Sequence, residues 1–401
     1  MMIMIKKILC LLAGSALMAG CGSDSDDAPA SKPSGGGGTD TEVVVPATPS
    51  KSNPMKVYIH YMPWFVAPEK SGVWNHWTMS TSALASDEAN IASHYHPLTG
   101  AYASDDEAVL DYQCLLMKYS GADGVMIDWY GSQQKNDYPQ NDTNTKAMKK
   151  AIERAAMKFA IVYEDATLDG CDDKEGQARQ DMRYLQNNYL GSSSYAKVGS
   201  SPLLMVFGPQ SLTSPEAWSY ALGAISTTPA LVVLNGFTSK ANDSQYKNAK
   251  GEFLWVNPNP TYSGAGSFDI YIGGAMPGFW DVYKEHGQGE GYTTYDRQDG
   301  ALFVKQLNAA KTAGLQWLQV STWNDYGEGT NIEPTKEYGY QYLEKLQQFT
   351  GVGYDKSHLE LIYRWYKLRK AKPSNTQVKQ AYNYLNAMQP DKAEAIIKSL
   401  E

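Results

Sequence analysis

Apolar runs and amphipathic stretches alternate along most of this chain, and this alternation is the feature that most limits its fold. Short runs rich in β-branched and aromatic residues, such as residues 57–61 and 203–207, are typical of buried strands. Stretches such as residues 298–313 have apolar residues at helical spacing. About eight strand–helix units over roughly 300 residues predict an α/β fold, a (β/α)8 TIM-like barrel. A doubly wound open sheet is the alternative, but no glycine-rich phosphate loop follows the first strand.

The N-terminal segment has the features of a bacterial lipoprotein signal. Lys6 and Lys7 precede an apolar run over residues 8–18, which is too short for a membrane span and fits a secretory signal peptide. Small residues before Cys21 resemble a lipobox, which implies that residues 1–20 are removed and that Cys21 is lipidated. The Ser- and Asp-rich segment after Cys21 is similar to the export signal of surface lipoproteins in some Gram-negative bacteria. We therefore expect a lipid anchor in the outer membrane and exposure at the cell surface.

Composition and spacing divide the rest of the chain into three parts. Residues 21–53 consist mainly of Ser, Gly, Pro, Asp and Thr, which predicts a flexible tether. Residues 54–350 contain the strand–helix pattern and form the predicted barrel. Residues 351–401 show helical spacing alone, which predicts a small C-terminal helical appendage.

Charge and cysteine content limit the possible partners. The net charge of −8 at pH 7 and the lack of a basic stripe argue against nucleic acid as a partner. No Cys or His spacing is typical of structural zinc, so we expect neither a metal nor a cofactor, and we expect a monomer. Cys114 and Cys171 remain after signal processing and could form a disulfide in an oxidising compartment. The apolar helical pattern around Cys114 favours a buried free thiol instead.

Two carboxylates follow the last predicted strand. An apolar run over residues 315–320 ends in a polar and aromatic segment that contains Asp325 and Glu328. Carboxylates lose hydration near a core, so this placement is unfavourable unless it serves a function. The C-terminal ends of the strands form the active face of a barrel, which makes the two residues candidates for a paired acid and base. The alternative is a solvated turn whose acids cap a following helix.

Other candidate substrate-binding residues lie at predicted strand ends and in aromatic loops. The acids Asp128 and Glu164 could bind sugar hydroxyls, although ion pairs or caps would explain them equally well. Aromatic rings can stack on sugars, but for any single ring core packing is the more frequent role. His94 and His96 alternate on one loop without an apparent third metal ligand, which favours substrate contact or loop packing. The full set is Tyr61, Trp64, His94, His96, Tyr102, Asp128, Trp129, Glu164, Trp323, Asn324 and Tyr326.

Residues 323–334, with the sequence Trp-Asn-Asp-Tyr-Gly-Glu-Gly-Thr-Asn-Ile-Glu-Pro, resemble the signature of glycoside hydrolase families 71 and 99. The first half is similar to family 71, which contains endo-α-1,3-glucanases, and the second half is closer to family 99, which contains endo-α-mannosidases. Residues 100–105 and 163–164 also follow the family 99 order, although that family has a Trp in place of Asp128. The resemblance covers most of residues 55–345. It implies endo-hydrolysis of an α-linked polysaccharide, either α-1,3-glucan or α-mannan.

The same resemblance implies that Glu328 is the general acid and Asp325 the base. In family 99 the base deprotonates the 2-hydroxyl of the sugar and the outcome is retention, whereas an inverting enzyme activates water. Asp is shorter than Glu by about 1.5 Å, which favours a water between Asp325 and the sugar and therefore inversion. A second class of function is a non-catalytic surface glycan-binding lipoprotein on a hydrolase-like barrel. The paired carboxylates argue against it, because binding alone does not require them.

Overall fold

The structure is a computed structural model that describes residues 44–71, 73–78 and 91–401. The predicted signal peptide, the lipidation site Cys21 and residues 21–43 of the tether lie outside the described residues. The end of the tether contacts the barrel, since the Ala47 amide donates to the Asn386 carbonyl at 3.1 Å and the Asn53 side chain donates to the Phe349 carbonyl at 3.1 Å. Within the described ranges, no helix combines the length and apolar character that crossing a membrane requires.

Eight parallel strands close into a barrel, which confirms the predicted fold class. Neighbouring strands pair in chain order, and closure comes from pairing of the last strand with the first, with Lys56 opposite Trp317. A two-residue strand, β4, pairs antiparallel to β5 beside the barrel. The strands are β1 (Lys56–Tyr61), β2 (Gly124–Trp129), β3 (Lys158–Tyr163), β4 (Lys197–Val198), β5 (Ser201–Val206), β6 (Ala230–Leu234), β7 (Ala249–Phe253), β8 (Ile270–Ala275) and β9 (Trp317–Val320).

Helices connect the strands and extend the chain beyond the barrel. They are α1 (Pro68–Ser71), α2 (Glu107–Tyr119), α3 (Tyr138–Ala155), α4 (Lys174–Asn188), α5 (Pro215–Leu222), α6 (Thr238–Ala241), α7 (Ala301–Thr312), α8 (Gln341–Thr350), α9 (Lys356–Ala371), α10 (Thr376–Asn386) and α11 (Pro390–Leu400). Of the last three helices, α9 packs on α2, while α10 and α11 pack on α9 and on each other; the C-terminal end of α10 also meets the end of α2. There the buried Lys118 ammonium donates to the Ala155 carbonyl at 2.8 Å and the Asn386 carbonyl at 2.6 Å.

Alternation along the strands separates two apolar layers. In β2, Val125, Ile127 and Trp129 belong to the cluster between strands and helices, whereas Met126 belongs to the cluster inside the barrel. Side chains two residues apart share a face of a strand, so Asp128 lies on the inner face. Apolar side chains such as Met126 therefore fill the barrel interior. The carboxyl group of Asp128 lies next to them, at the carboxyl end of β2.

The structure decides between the two states considered for the cysteines. Cys114 is a buried free thiol, as favoured, and Cys171 is also free, so the alternative disulfide is not formed. The apolar run over residues 253–257 predicts a strand there, and this prediction is wrong, because β7 ends at Phe253, where the run begins. Because β7 begins with small and polar residues, no apolar run marks this strand in the sequence. Gly251 is required there, since a Cβ would lie 1.8 Å from the Ile270 carbonyl oxygen of the adjacent strand.

Ser104 precedes the acids Asp105 and Glu107 and so predicts a helix cap at this position, but the N-terminus of α2 is capped by Asp106. Ser104 instead accepts the Phe65 amide at 3.1 Å. Asp106 accepts the Ala108 amide at 2.9 Å and pairs with Lys370 on α9 at 2.8 Å. This residue thus joins the barrel helix to the appendage.

Replacing Asp106 by Ala should lower the free energy of unfolding by about 1–2 kcal/mol, since both the cap and the ion pair are lost. Urea unfolding of the full chain measures the change. The neighbouring Asp105→Ala is the control and should change stability by less than about 0.5 kcal/mol. Equal losses in the two variants would contradict this account of the cap.

Candidate active site

Four carboxyl groups meet at the carboxyl end of the barrel. Asp128 lies near the end of β2, Glu164 directly follows β3, and Asp325 and Glu328 follow β9. Their electrostatic coupling shows their proximity, because Asp325 acts on the pKa of Asp128 and Glu328 acts on the pKa of Glu164. The carboxyl ends of parallel barrel strands form one face, so strand position alone brings these four together.

Asp325 organises the turn that carries Glu328. Its carboxylate accepts the Glu328 amide at 2.9 Å, and its own amide donates to Thr322 Oγ1 at 2.8 Å. The buried Arg297 guanidinium donates to the Gly329 carbonyl at 2.9 Å and fixes the far side of the turn. No helix starts after this turn, since the next described helix, α8, begins at Gln341. The helix-cap alternative is therefore wrong.

The surroundings of the two residues assign them different protonation states. Burial raises the pKa of Asp325 to about 6, while the Glu328 amide, the charge of His76 and the Gly327 amide oppose the rise. Burial, and next the charge of Asp325, raise the pKa of Glu328 well above its usual range. Asp325 therefore ionises near pH 6, whereas the surroundings of Glu328 favour its protonated form. A base and an acid side by side are what glycoside cleavage requires.

Asp128 and Glu164 form a second pair. Burial raises the pKa of Asp128 to about 8, and burial followed by the charge of Asp128 raises that of Glu164 well above its usual range. The two side chains hydrogen-bond to each other, with Glu164 as the group that holds the proton. The Asp128 Oδ1 atom is buried without a hydrogen-bond partner.

The protonation states predict a bell-shaped pH profile for kcat/KM. Activity should fall below about pH 6 as Asp325 is protonated, and it should fall at high pH as Glu328 loses its proton. Tyr283 donates to Glu328 Oε1 at 3.3 Å and so stabilises its ionised form. Tyr283→Phe should raise the pKa of Glu328, which moves the alkaline limb to higher pH and leaves the acidic limb in place. Movement of the acidic limb alone would contradict the assignment.

Several half-buried rings and one histidine surround the carboxyl groups. Trp64 stacks on His76 with ring centroids 5.0 Å apart, and His76 pairs with Asp137 at 2.6 Å. Trp64 also lies 6.3 Å from Tyr130. Trp64 is therefore the predicted aromatic residue that reaches the rim of the site.

On another side of the mouth, His94 stacks on Trp280 with centroids 3.6 Å apart, and the Trp280 amide donates to the Glu328 carbonyl at 3.0 Å. This places the predicted residue His94 against the segment that contacts the turn of Asp325 and Glu328. His96 is instead held by Glu337, which accepts its ring nitrogen at 2.8 Å and its amide at 2.9 Å. The contacts of His96 are those of loop packing.

Three predicted stacking walls are core residues, and that part of the prediction is wrong. Tyr61, Trp129 and Trp323 have no exposed surface. The Tyr61 hydroxyl donates to Gln113 at 3.0 Å, and the Trp129 indole donates to Asp142 at 3.0 Å. Both rings lie on the outer face of their strands, opposite the barrel interior.

The polar atoms of Tyr102, Asn324 and Tyr326 are hydrogen-bonded inside the protein. The Tyr102 and Tyr326 hydroxyls donate to Glu333 at 2.8 and 3.0 Å. The Asn324 amide group donates to the Met62 carbonyl at 3.0 Å and accepts its amide at 2.9 Å. These residues fix the loop that carries Asp325 to the loop after β1.

The sequence did not single out four residues that the structure places at or behind the site. Tyr130 and His76 lie at the rim, Tyr283 contacts Glu328, and the buried Glu333 supports the loop. Tyr130 follows Asp128 by two positions and so was detectable from strand alternation. His76 and Tyr283 lie in irregular segments that give no periodic signal.

Comparison with known proteins finds relatives by sequence. No protein-family model matches the chain. The human glycoprotein endo-α-1,2-mannosidase-like protein is 24% identical over 367 residues, covering 79% of this chain and 77% of its own. The mouse glycoprotein endo-α-1,2-mannosidase is 21% identical over 373 residues, covering 80% and 78%.

Solved structures share the fold. A family 99 (GH99) endo-α-mannosidase from Bacteroides thetaiotaomicron in complex with BIS-TRIS-propane has a TM-score of 0.60 and 16% identity, covering 74% of this chain and 97% of that one. A further structure of the family 99 endo-α-mannosidase from that organism has a TM-score of 0.59 and 17% identity, covering 80% and 99%. These similarities confirm the resemblance to family 99. The chain is a homologue of the glycoprotein endo-α-1,2-mannosidases and shares the barrel fold of the family 99 enzymes.

Proposed function

We propose that this protein is an endo-acting glycoside hydrolase that cleaves an α-linked polysaccharide, with α-mannan favoured over α-1,3-glucan. The observation that carries the proposal is the pair of Asp325 and Glu328 at the barrel mouth, where the Asp325 carboxylate accepts the Glu328 amide at 2.9 Å and burial favours the protonated form of Glu328. The mannosidase relatives support endo action and favour mannan.

In the proposed reaction, Glu328 donates its proton to the glycosidic oxygen as the bond to the anomeric carbon breaks. Asp325 accepts a proton from the attacking group on the sugar or from water. Its Oδ1 atom is occupied by the Glu328 amide at 2.9 Å, so the other oxygen is the one free to act. The turn that Asp325 itself builds thus fixes the acid and the base relative to each other.

The stereochemical outcome follows from what Asp325 deprotonates. The short side chain of Asp325, taken alone, favours deprotonation of a water molecule between it and the sugar, and therefore inversion. The resemblance to family 99 favours the route that it implies, in which the base takes the proton of the 2-hydroxyl. We propose that this chain follows the latter route and that the first product anomer is α.

A panel of polysaccharides tests the proposed function. Incubation with yeast-type α-mannan should release oligosaccharides and reducing ends, and α-1,3-glucan should release fewer. Faster release from α-1,3-glucan would reassign the sugar. Tight binding to either polymer without new reducing ends would favour the alternative of a non-catalytic surface glycan-binding lipoprotein.

We also propose that the mature protein is anchored by lipid at Cys21 in the outer membrane and exposed at the cell surface. Cys21→Ala should abolish membrane attachment, because the mutated chain lacks the acylated thiol. Fractionation of cells that express wild type or variant measures this. Equal membrane fractions for the two proteins would contradict the anchor.

A further inference from the structure

A cavity of about 500 Å³, here called the basal pocket, lies at the amino ends of the barrel strands, on the face opposite Asp325 and Glu328. Its lining includes the first residues of β1, β3 and β4. Among the described residues that line it, Asp123 is the only carboxylate, whereas five are lysines: Lys51, Lys56, Lys118, Lys158 and Lys197. The basal pocket is therefore positively charged, although the net charge of the chain is −8.

Two of these lysines already have partners within the protein. Lys51 forms an ion pair with Asp123, which neutralises the one carboxylate of the lining. The buried Lys118 ammonium donates to backbone carbonyls and to the Asn386 side chain, the latter at 2.6 Å. Neither ammonium group is therefore available to a ligand.

The other three lysines, Lys56, Lys158 and Lys197, are exposed and form no ion pair among the residues that the structure describes. Lys158 donates one N–H to the Ser193 carbonyl at 2.9 Å, which leaves two of its three donors. The Lys56 ammonium lies 4.4 Å from the centre of the Trp317 ring, a contact that orients it without removing its charge. Three uncompensated ammonium groups around one cavity favour an anion with several acceptor oxygens, such as phosphate.

The end of the predicted tether forms one wall of the basal pocket. Thr48, Pro49 and Lys51 line it, and the described chain begins only a few residues earlier, at residue 44. The chain from Cys21 to residue 44 can span at most about 80 Å. A lipid on Cys21 would therefore keep the basal pocket near the membrane surface, with the barrel mouth on the far side.

We infer that the basal pocket binds the phosphate groups of membrane lipid headgroups and so holds the barrel with its mouth away from the membrane. The inference goes beyond hydrolysis and rests on the proposed anchor at Cys21 for one step, the nearness of this face to the membrane. Because the wall of the pocket is the segment that leads to the anchor, a lipid headgroup is favoured over a soluble phosphate. The pocket volume lies within the range of small-ligand sites, about 300–1,000 Å³.

Co-sedimentation with vesicles tests the inference on the mature chain, residues 21–401, with Cys21→Ala, which has no lipid of its own and keeps every described residue. The vesicles contain phosphatidylcholine alone or with about 30% phosphatidylglycerol. Affinity for the anionic vesicles should be at least about tenfold higher. It should fall steeply between about 0.1 and 1 M salt, where the screening length shortens from about 10 to 3 Å. Equal binding to the two vesicle types, or no binding to the anionic one, would overturn the inference.

Two triple variants of the same chain locate the binding surface. Replacing the three free lysines of the pocket by Gln should weaken binding to anionic vesicles by roughly 100-fold, at about fivefold for each lysine near an anionic surface. The control replaces three exposed lysines outside the pocket and should weaken binding by less than about fivefold. Equal losses in the two variants would overturn the assignment to the pocket. If the pocket variant does not fold, the comparison of vesicle types and salt on the unsubstituted lysines decides. The pocket substitutions are Lys56→Gln, Lys158→Gln and Lys197→Gln, and the control substitutions are Lys305→Gln, Lys367→Gln and Lys379→Gln.

Glycerol 3-phosphate distinguishes a membrane headgroup from a soluble ligand. As the headgroup alone, it should bind the same chain weakly in calorimetry, and in excess it should release the chain from anionic vesicles. Binding of glycerol 3-phosphate by a chain that ignores anionic vesicles would overturn the assignment to the membrane.

The result is separable from the proposed anchor and the proposed hydrolase. Membrane attachment of the chain with Cys21 in cells, without vesicle binding by the unlipidated chain, would overturn the phosphate site and leave the anchor intact. Vesicle binding by the unlipidated chain, together with equal fractionation of wild type and Cys21→Ala in cells, would support the site and count against the anchor. Because the pocket lies opposite the mouth, the pocket variant should hydrolyse soluble α-mannan at the wild-type rate.

Discussion

Asp325→Asn should lower kcat by at least about 100-fold, the usual effect of losing a general base. The amide cannot accept a proton, but its oxygen can still accept the Glu328 amide, now at 2.9 Å, so the turn should persist. Glu328→Gln should cause a loss of similar size, because the amide cannot protonate the leaving oxygen. Initial rates on α-mannan measure both effects, and thermal unfolding checks that the variants are folded.

The control for these variants is Asp173→Asn. Asp173 accepts the Gly176 amide at 2.8 Å as the N-cap of α4, and Asn caps helices equally well. This variant should keep the activity and melting temperature of wild type. Retained activity in Asp325→Asn or Glu328→Gln, with a large loss of melting temperature, would assign the pair a structural role.

Glu333→Ala should reduce the free energy of unfolding by about 3 kcal/mol or more, because three buried donors lose their acceptor at about 1–3 kcal/mol each. Gln113 donates at 2.7 Å, and Tyr102 and Tyr326 donate at 2.8 and 3.0 Å. Since Tyr326 lies next to Asp325, kcat should fall as well. Urea unfolding and initial rates measure the two effects.

The pH dependence of stability isolates Glu333. Burial raises its pKa to about 7, so the folded state prefers the protonated form. The contribution of this group to stability is present below the unfolded pKa and is lost as pH rises through about 7. Glu333→Ala should therefore be more harmful at pH 5 than at pH 8, and Glu333→Gln should remove this part of the pH dependence. A penalty that increases from pH 5 to pH 8 would contradict the account.

The barrel and its four carboxyl groups were accessible from sequence because each depends on local signals. Buried strands have recognisable apolar runs, and the acids Asp128, Glu164, Asp325 and Glu328 follow or end such runs. Parallel strands in a barrel then place all their carboxyl ends on one face, and this placement does not depend on individual side chains.

The aromatic predictions failed where strand alternation was not applied. Asp128 and Trp129 are consecutive in β2, so their side chains cannot both face the barrel interior. Tyr61 similarly lies on the opposite face of β1 from His60. Within the loop after β9, Trp323 and Tyr326 are buried because long-range hydrogen bonds such as those between Asn324 and Met62 fix the loop, and a partner 262 residues away is not deducible from local sequence.

Residues that tune the acids were inaccessible for a different reason. His76 and Tyr283 belong to irregular segments far from Asp325 and Glu328 in sequence, and only the three-dimensional structure brings them together. The N-cap of α2 shows the same limit on a small scale. Ser104 and Asp106 both suit a cap, and the contact of Ser104 with Phe65 decides between them.

The most direct test of the central claim is proton magnetic resonance during the first minutes of α-mannan digestion by the wild-type protein. The account predicts a new reducing-end anomeric signal, initially of the α anomer, which appears before any free monosaccharide and is absent with Asp325→Asn. An initial β anomer would retain the hydrolase and replace the neighbouring-group route by inversion through water. Binding of the polymer without any new reducing-end signal, from α-mannan or from the other α-linked polymers, would contradict the claim that Asp325 and Glu328 cleave glycosidic bonds.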